Sequence, residues 1–278
     1  MALPSPQASS TALVTGSSSG IGADIARELA SRGHGLTLAA RREHKLRSLA
    51  DELAQTYGVR VEVIAADISV PSERAALPGK IDALGLVVDV VVNNAGFTTV
   101  GPIQRANRDG EMAVVHTNVE AVVDLCTLFV AGMVARGRGA ILNTASTAAF
   151  QPIPGNAVYA ASKAFVLSYG RALGVELKGT GVSVTTLCPG PVKTGFADGA
   201  GMTDEIAAES TPRFMWVSAP RVAKMGVEGL AAGRPVVIPG TPNRILATVS
   251  HLMPQSVVLP LLAKRHPAMK LSAGTGSR

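Results

Sequence analysis

Cysteine is nearly absent from this chain: Cys126 and Cys188 are the two in 278 residues. That excludes a disulfide framework and a four-cysteine zinc site. The five histidines are scattered without HExxH-type spacing, so no metal site is expected. Aromatic residues make up 4%, with one Trp and three Tyr, a poor supply of stacking platforms for single-stranded nucleic acid. Acidic residues are also short, 20 Asp+Glu against 26 Lys+Arg, for a net charge of +6. The excess is dispersed, with small clusters at Arg41-Arg42 and Lys264-Arg265-His266. A dispersed excess reads as solvated faces, so nucleic acid is not an expected partner.

Long uninterrupted apolar runs are missing too. Residues 1–10, MALPSPQASS, hold two prolines and no signal-peptide core, and read as a disordered lead-in. Ile245–Ala263 lacks Asp, Glu, Lys and Arg, but Pro254, Pro260 and several polar residues argue against a spanning helix. The expected location is cytoplasmic, with peripheral membrane contact as a secondary option.

What is present is apolar material, 47% hydrophobic residues, in a regular alternation. Short strand-like runs occur at Thr11–Thr15, Gly35–Ala40, Val59–Ala65, Val87–Val92, Ala140–Ala145, Val182–Leu187 and Pro235–Ile238. Between them lie helical stretches at Ile21–Ser31, Glu43–Tyr57, Ser69–Leu84 (broken by Pro78-Gly79), Arg108–Arg136, Asn156–Lys178 and Ala219–Ala232. Alternating strand and helix predicts an α/β fold, a doubly wound parallel sheet with helices on both faces. One domain over residues 11–240 is expected, with a helical extension and flexible tail over 241–278.

Gly16-Ser17-Ser18-Ser19-Gly20-Ile21-Gly22 follows the first strand and runs directly into a helix. Gly16 permits a tight turn, and Gly20 and Gly22 let backbone approach a pyrophosphate. The helix N-terminus offers free N–H groups and a positive dipole end, and the serines add donors. The spacing departs from GxGxxG, with three residues between the first two glycines and one between the last two.

With this loop, the chain resembles the short-chain dehydrogenase/reductase family over about residues 10–240. The other motifs follow in order: Asn93-Asn94-Ala95-Gly96, Asn118, Ser146, Tyr159-Ala160-Ala161-Ser162-Lys163, and Pro189-Gly190. The resemblance implies a Rossmann-type sheet of about seven strands, an NAD(P) cofactor and hydride transfer to or from a carbonyl or alcohol. It also implies a catalytic set of Asn118, Ser146, Tyr159 and Lys163. In that set Tyr159 is the general acid or base, Ser146 holds the substrate oxygen, and Asn118 fixes a water beside Lys163. Asn94, Ala95 and Gly96 would line the cofactor, and Pro189, Gly190, Val192 and Thr194 would meet its carboxamide end. Asp67 and Ile68 match the adenine contact.

Tyr159 and Lys163 stand four apart in a helical pattern and share one face. A nearby ammonium should lower the phenol's pKa. At the end of the second strand, Ala40 replaces the acidic residue that would bind a free 2′-hydroxyl, and Arg41 and Arg42 follow. Guanidinium groups suit a 2′-phosphate, so NADP(H) is expected over NAD(H), with Arg41 ahead of Arg42.

The segment from Gly195 to Trp216 is where the family builds its substrate lid. Phe196, Met202, Ile206, Phe214, Met215 and Trp216 suggest a hydrophobic carbonyl or alcohol substrate, or simple packing of the lid. The alternative to an enzyme is a catalytically silent cofactor-binding sensor. Val114, Val115, Val122, Leu125, Phe129, Phe165, Leu167 and Leu173 exceed what one sheet face needs, which predicts a homodimer or homotetramer. Residues 242–266 read as two short helices divided by Pro254. They either cover a sheet edge or subunit contact, or form an interfacial anchor in which Arg244, Lys264 and Arg265 meet anionic lipid.

Overall fold

The computed structural model describes residues 3–196, 212–252, 256 and 259–260. Seven strands form one parallel sheet in the order β3-β2-β1-β4-β5-β6-β7. They are β1 Ser10–Thr15, β2 Leu36–Ala40, β3 Val61–Ala65, β4 Val87–Asn93, β5 Gly139–Thr144, β6 Val182–Leu187 and β7 Val236–Val237. The sequence order reverses at β1 and β4, which pair side by side with Val14 opposite Val92. Ligand crevices in such sheets open at the carboxyl ends of the strands flanking that reversal.

Strand alternation sorts the core into two layers. From β1, Ala12 and Val14 face one side and Leu13 the other, all buried; from β5, Ala140 and Leu142 divide from Ile141 in the same way. On the first side pack α1 (Gly20–Ser31), α2 (Glu43–Tyr57) and α7 (Ala219–Ala231), through Ile25, Leu46, Leu53, Val222 and Val227. On the second pack α3 (Pro71–Asp82), α5 (Ala121–Ala135) and α6 (Ala157–Glu176), through Leu77, Leu125, Met133 and Val166. Both faces of the sheet are covered, which is why the strands read as nearly continuous apolar runs.

The long helix expected over Arg108–Arg136 is α4 (Arg108–Val115), a π turn at His116–Glu120, and α5. By length and composition Arg108–Ala135 could cross a membrane. Here its Val122, Leu125, Phe129 and Met133 lie under the sheet. α3 departs from expectation because Pro78 does not break it. Leu77 and Ile81, on either side of that proline, are buried in the same layer, and their burial holds the helix together across the lost hydrogen bond.

Residues 3–9, expected as a disordered lead-in, run along the body. Leu3 packs on the first layer, and Arg138 Nη2 donates to the Ser5 carbonyl at 3.0 Å. After β7 comes α8 (Thr241–Leu252), the first of the two expected C-terminal helices. It buries Asn243 and Ala247 and leaves Ile245, Leu246 and Val249 exposed. Lys264, Arg265 and His266 lie outside the described residues, as do Met202 and Ile206 of the lid.

The apolar surplus read as subunit contact is mostly consumed within the chain. Val114, Val122, Leu125, Phe129, Leu167 and Leu173 are all buried, and those of α5 and α6 lie together in the second core layer. Phe165 remains exposed and stacks on Tyr169 with ring centres 5.8 Å apart; Val134 and Val175 are exposed on the same two helices.

Candidate functional site

The turn out of β1 places Gly16 and Gly20 at φ +64° and +57°, a region that disfavours side chains. Space matters as much as angle. A Cβ on Gly16 would lie 2.6 Å from the Ala95 Cα, and one on Gly22 would collide with Asn94 Nδ2 and the Gly16 carbonyl. Asn94 fixes this arrangement, its Nδ2 donating to the Thr15 carbonyl at 3.1 Å. The Thr15 hydroxyl receives the backbone N–H groups of Asn94 and Ala95 at 3.1 and 3.2 Å. Thr15 thus ties the glycine loop to the β4 loop.

α1 begins at this turn with no side-chain cap on its first N–H groups and no acidic residue in its first turn. Ser17 Oγ is buried without a hydrogen-bond partner. A bare helix start, an orphaned hydroxyl beside it and glycines without room for side chains fit a pyrophosphate-bearing dinucleotide. Thr194 closes the far side, its Cβ 3.1 Å from where a Gly20 Cβ would stand. Ile21 and Val192 pack on the first core layer.

The two arginines after β2 diverge. Arg42 turns onto the glycine loop, its Nη2 donating to Ser18 Oγ and Ser19 Oγ, both at 2.9 Å. Arg41 points outward, with Nη1 3.9 Å from Asp67 Oδ2. Asp67 Oδ1 accepts from the Ser69 N–H and hydroxyl at 2.9 and 2.7 Å, so this carboxylate shapes the turn before α3. Ile68 is buried beside it.

At the carboxyl ends of β4, β5 and β6 the second group converges. Lys163 is buried, and its Nζ donates to the Thr144 carbonyl at 3.0 Å and lies 5.8 Å from the Tyr159 ring centre. Gly96 approaches so closely that a Cβ there would stand 3.3 Å from Lys163 Nζ and 3.0 Å from Asn118 Oδ1. Ser146 Oγ accepts from the Ala148 N–H at 3.1 Å, lies 3.5 Å from the Pro189 carbonyl, and is a hydrogen-bond partner of the Tyr159 phenol.

Asn118 is fully buried in the π turn. Its Oδ1 accepts from the Phe97 N–H at 3.2 Å, and its Nδ2 donates to the Phe97 carbonyl at 3.0 Å and to Ser162 Oγ at 3.1 Å. Both amide hydrogens are thereby used. The side chain braces Phe97 and Ser162, and its Oδ1, beside Gly96 like Lys163 Nζ, keeps a second lone pair. Ser162 in turn donates to the Tyr159 carbonyl at 2.7 Å, linking Asn118 to the Tyr159 backbone. A serine between Tyr159 and Lys163 is visible in sequence, but nothing local marks it as this link.

Electrostatics differ from the expected phenol lowered by lysine. Burial raises the Tyr159 phenol above its ordinary value, against a smaller downward pull from Ser146. The same burial brings Lys163 down to about 8. The thiols are inert: burial pushes Cys188 up to about 12 and Cys126 to about 11.

Asn243 was not visible as a site residue. It reaches from α8 to sit where Gly190 has no side chain, its Cγ 2.6 Å from a Cβ built there. Its Nδ2 donates to the carbonyls of Met215, near the end of the segment expected to be a lid, and Pro239, after β7, at 2.9 and 3.0 Å. Phe196 lies against Tyr159 with ring centres 5.8 Å apart.

Comparison with known proteins follows the same lines. The short chain dehydrogenase family profile matches residues 10–204. A putative ketoacyl reductase of Streptomyces coelicolor is 40% identical over 194 residues, 69% of this chain and 74% of that one. A very-long-chain 3-oxoacyl-CoA reductase of Anas platyrhynchos is 32% identical over 266 residues, 93% of this chain and 80% of that one. A solved short-chain dehydrogenase from Sphingobium yanoikuyae, in complex with NADPH, superposes with a TM-score of 0.77 at 30% identity, covering 93% of this chain and 97% of that one. Sheet order, glycine loop and sequence match agree: the chain belongs to the short-chain dehydrogenase/reductase family.

Proposed function

We propose that this chain is an NADP(H)-dependent oxidoreductase acting on the carbonyl or alcohol carbon of a hydrophobic substrate. The observation that carries the reading is the meeting of Ser146, Tyr159 and Lys163 at the strand ends beside the bare start of α1. When bound, the nicotinamide supplies or accepts the hydride. The chain's own residues do the rest. Tyr159, kept protonated by burial, gives its proton to the substrate oxygen in reduction and takes it back in oxidation. The Ser146 hydroxyl holds that oxygen and steadies the charge building on it. The Lys163 ammonium supports the phenolate left behind, and Asn118 and Ser162 hold the helix turn that carries Tyr159. Phe196 against the Tyr159 ring supports an apolar substrate. The direct test is NADPH oxidation with a panel of ketones and aldehydes. Cofactor binding without turnover across a wide panel would favour the silent sensor.

Arg41 and Arg42 flank the position proposed for the 2′-phosphate. Charge-assisted contacts of this kind make NADPH better than NADH by at least about tenfold in kcat/KM, or about 1.4 kcal/mol. Arg42→Ala and Arg41→Ala should each raise KM for NADPH and spare that for NADH. Arg42→Ala should have the larger effect, because its guanidinium already lies on the loop serines. Native activity equal or better with NADH overturns the preference.

A homodimer through α5 and α6 is the proposed assembly, seated on exposed Phe165, Val134 and Val175. Phe165→Glu should convert it to monomer in light scattering. A native protein already monomeric at micromolar concentration rules it out.

A further inference from the structure

Away from the candidate catalytic site, a cavity of about 520 Å³ opens beside β7. Three arginines from three segments line it: Arg171 of α6, Arg234 before β7 and Arg244 of α8. Phe150, Met225 and Thr248 supply part of the remaining wall. None of the three guanidinium groups has an acidic partner among the described residues. Three cations gathered in a groove repel one another unless an anion joins them.

α8 continues this surface. Going round the helix, Asn243 and Ala247 face the body, Arg244 and Thr248 line the cavity, and Ile245, Val249 and Leu246 follow, 59%, 45% and 45% exposed. A cationic edge next to an exposed apolar arc is the pattern of a helix lying in a membrane interface.

We propose that this face docks on an anionic phospholipid surface, with lipid phosphates entering the arginine groove and the Ile245-Leu246-Val249 arc dipping into the acyl boundary. Charge decides against a second copy as occupant. A two-fold partner seated here would bring its own three guanidinium groups against these. Lipid phosphates are complementary, and each cation near such a surface favours binding by about fivefold.

The test is flotation of the full chain with phosphatidylcholine vesicles and with mixed phosphatidylcholine–phosphatidylglycerol vesicles. Binding to the mixed vesicles alone is expected, and it should weaken steeply as salt is raised. The Arg171→Gln/Arg234→Gln/Arg244→Gln variant should lose about a hundredfold in partitioning. Ile245→Ser/Val249→Ser should lose about tenfold. A matching thermal melt checks that each variant folds. If the triple variant fails that check, the serine pair and the salt titration of the native chain decide. No flotation, equal flotation with neutral vesicles, or flotation unchanged in both variants overturns the proposal. So does a native oligomer that these substitutions dissociate while vesicles stay unbound.

Discussion

Tyr159→Phe should leave NADPH binding within about twofold of native and lower carbonyl reduction by about 10²–10⁴-fold. The substitution keeps the ring that meets Phe196 and removes only the hydroxyl paired with Ser146. Because burial holds the phenol above its ordinary value, Tyr159 stays protonated through neutral pH and serves as the acid without help from solvent. Fluorescence titration with NADPH measures the first quantity and single-turnover reduction the second. A variant that keeps more than about a tenth of native turnover places the proton donor elsewhere.

Lys163→Met should lose turnover by at least about a hundredfold and yet melt higher in the absence of cofactor. Lys163 is buried, and burial brings its folded-state value to about 8, below the ordinary 10.5. Between those values the unfolded chain binds more protons, so stability rises with pH across that window. Below about pH 8 the whole penalty is present, on the order of 3 kcal/mol. Loss of the bond to the Thr144 carbonyl returns about 1 kcal/mol of it. A net gain of about 1–2 kcal/mol raises Tm by about 2–8 °C at pH 6.5, and by less than half as much at pH 9.5. Melts at both pH values check this, and a variant less stable than native at both contradicts it. The same titration predicts that native reduction falls as pH rises through about 8, when the ammonium supporting the phenolate is lost.

The parts legible in sequence were those written in consecutive residues. The glycine loop sits in one strand–turn–helix unit, and the strands announce themselves because both sheet faces are covered. Illegible parts depend on contacts between distant segments. Pro78 looked like a break because its partners, the residues packing on Leu77 and Ile81, come from other strands and helices. Asn118 is one polar residue in a helical stretch, and only the fold shows its amide bonded to Phe97 and Ser162. The apolar residues of α5 and α6 could not be divided between core and contact from sequence, since one composition serves both. Arg41 and Arg42 are adjacent, and their side chains part only because Ser18 and Ser19 lie on one side and Asp67 on the other.

Asn243 has a bearing on how this protein can be re-engineered. A designer seeking a new substrate would exchange the lid for that of a relative and leave the rest of the chain alone. Asn243 makes that graft unsafe, since one buried amide serves both the turn at Met215 and the turn after β7 at Pro239, while filling the space left by Gly190. A transplanted lid that shifts the Met215 carbonyl strands the amide donor in the interior, at a cost of about 1–3 kcal/mol. A side chain introduced at Gly190 evicts the amide altogether. The turn at Met215, Gly190 and the first turn of α8 are therefore coupled, and a change made at one of them should exchange all three together.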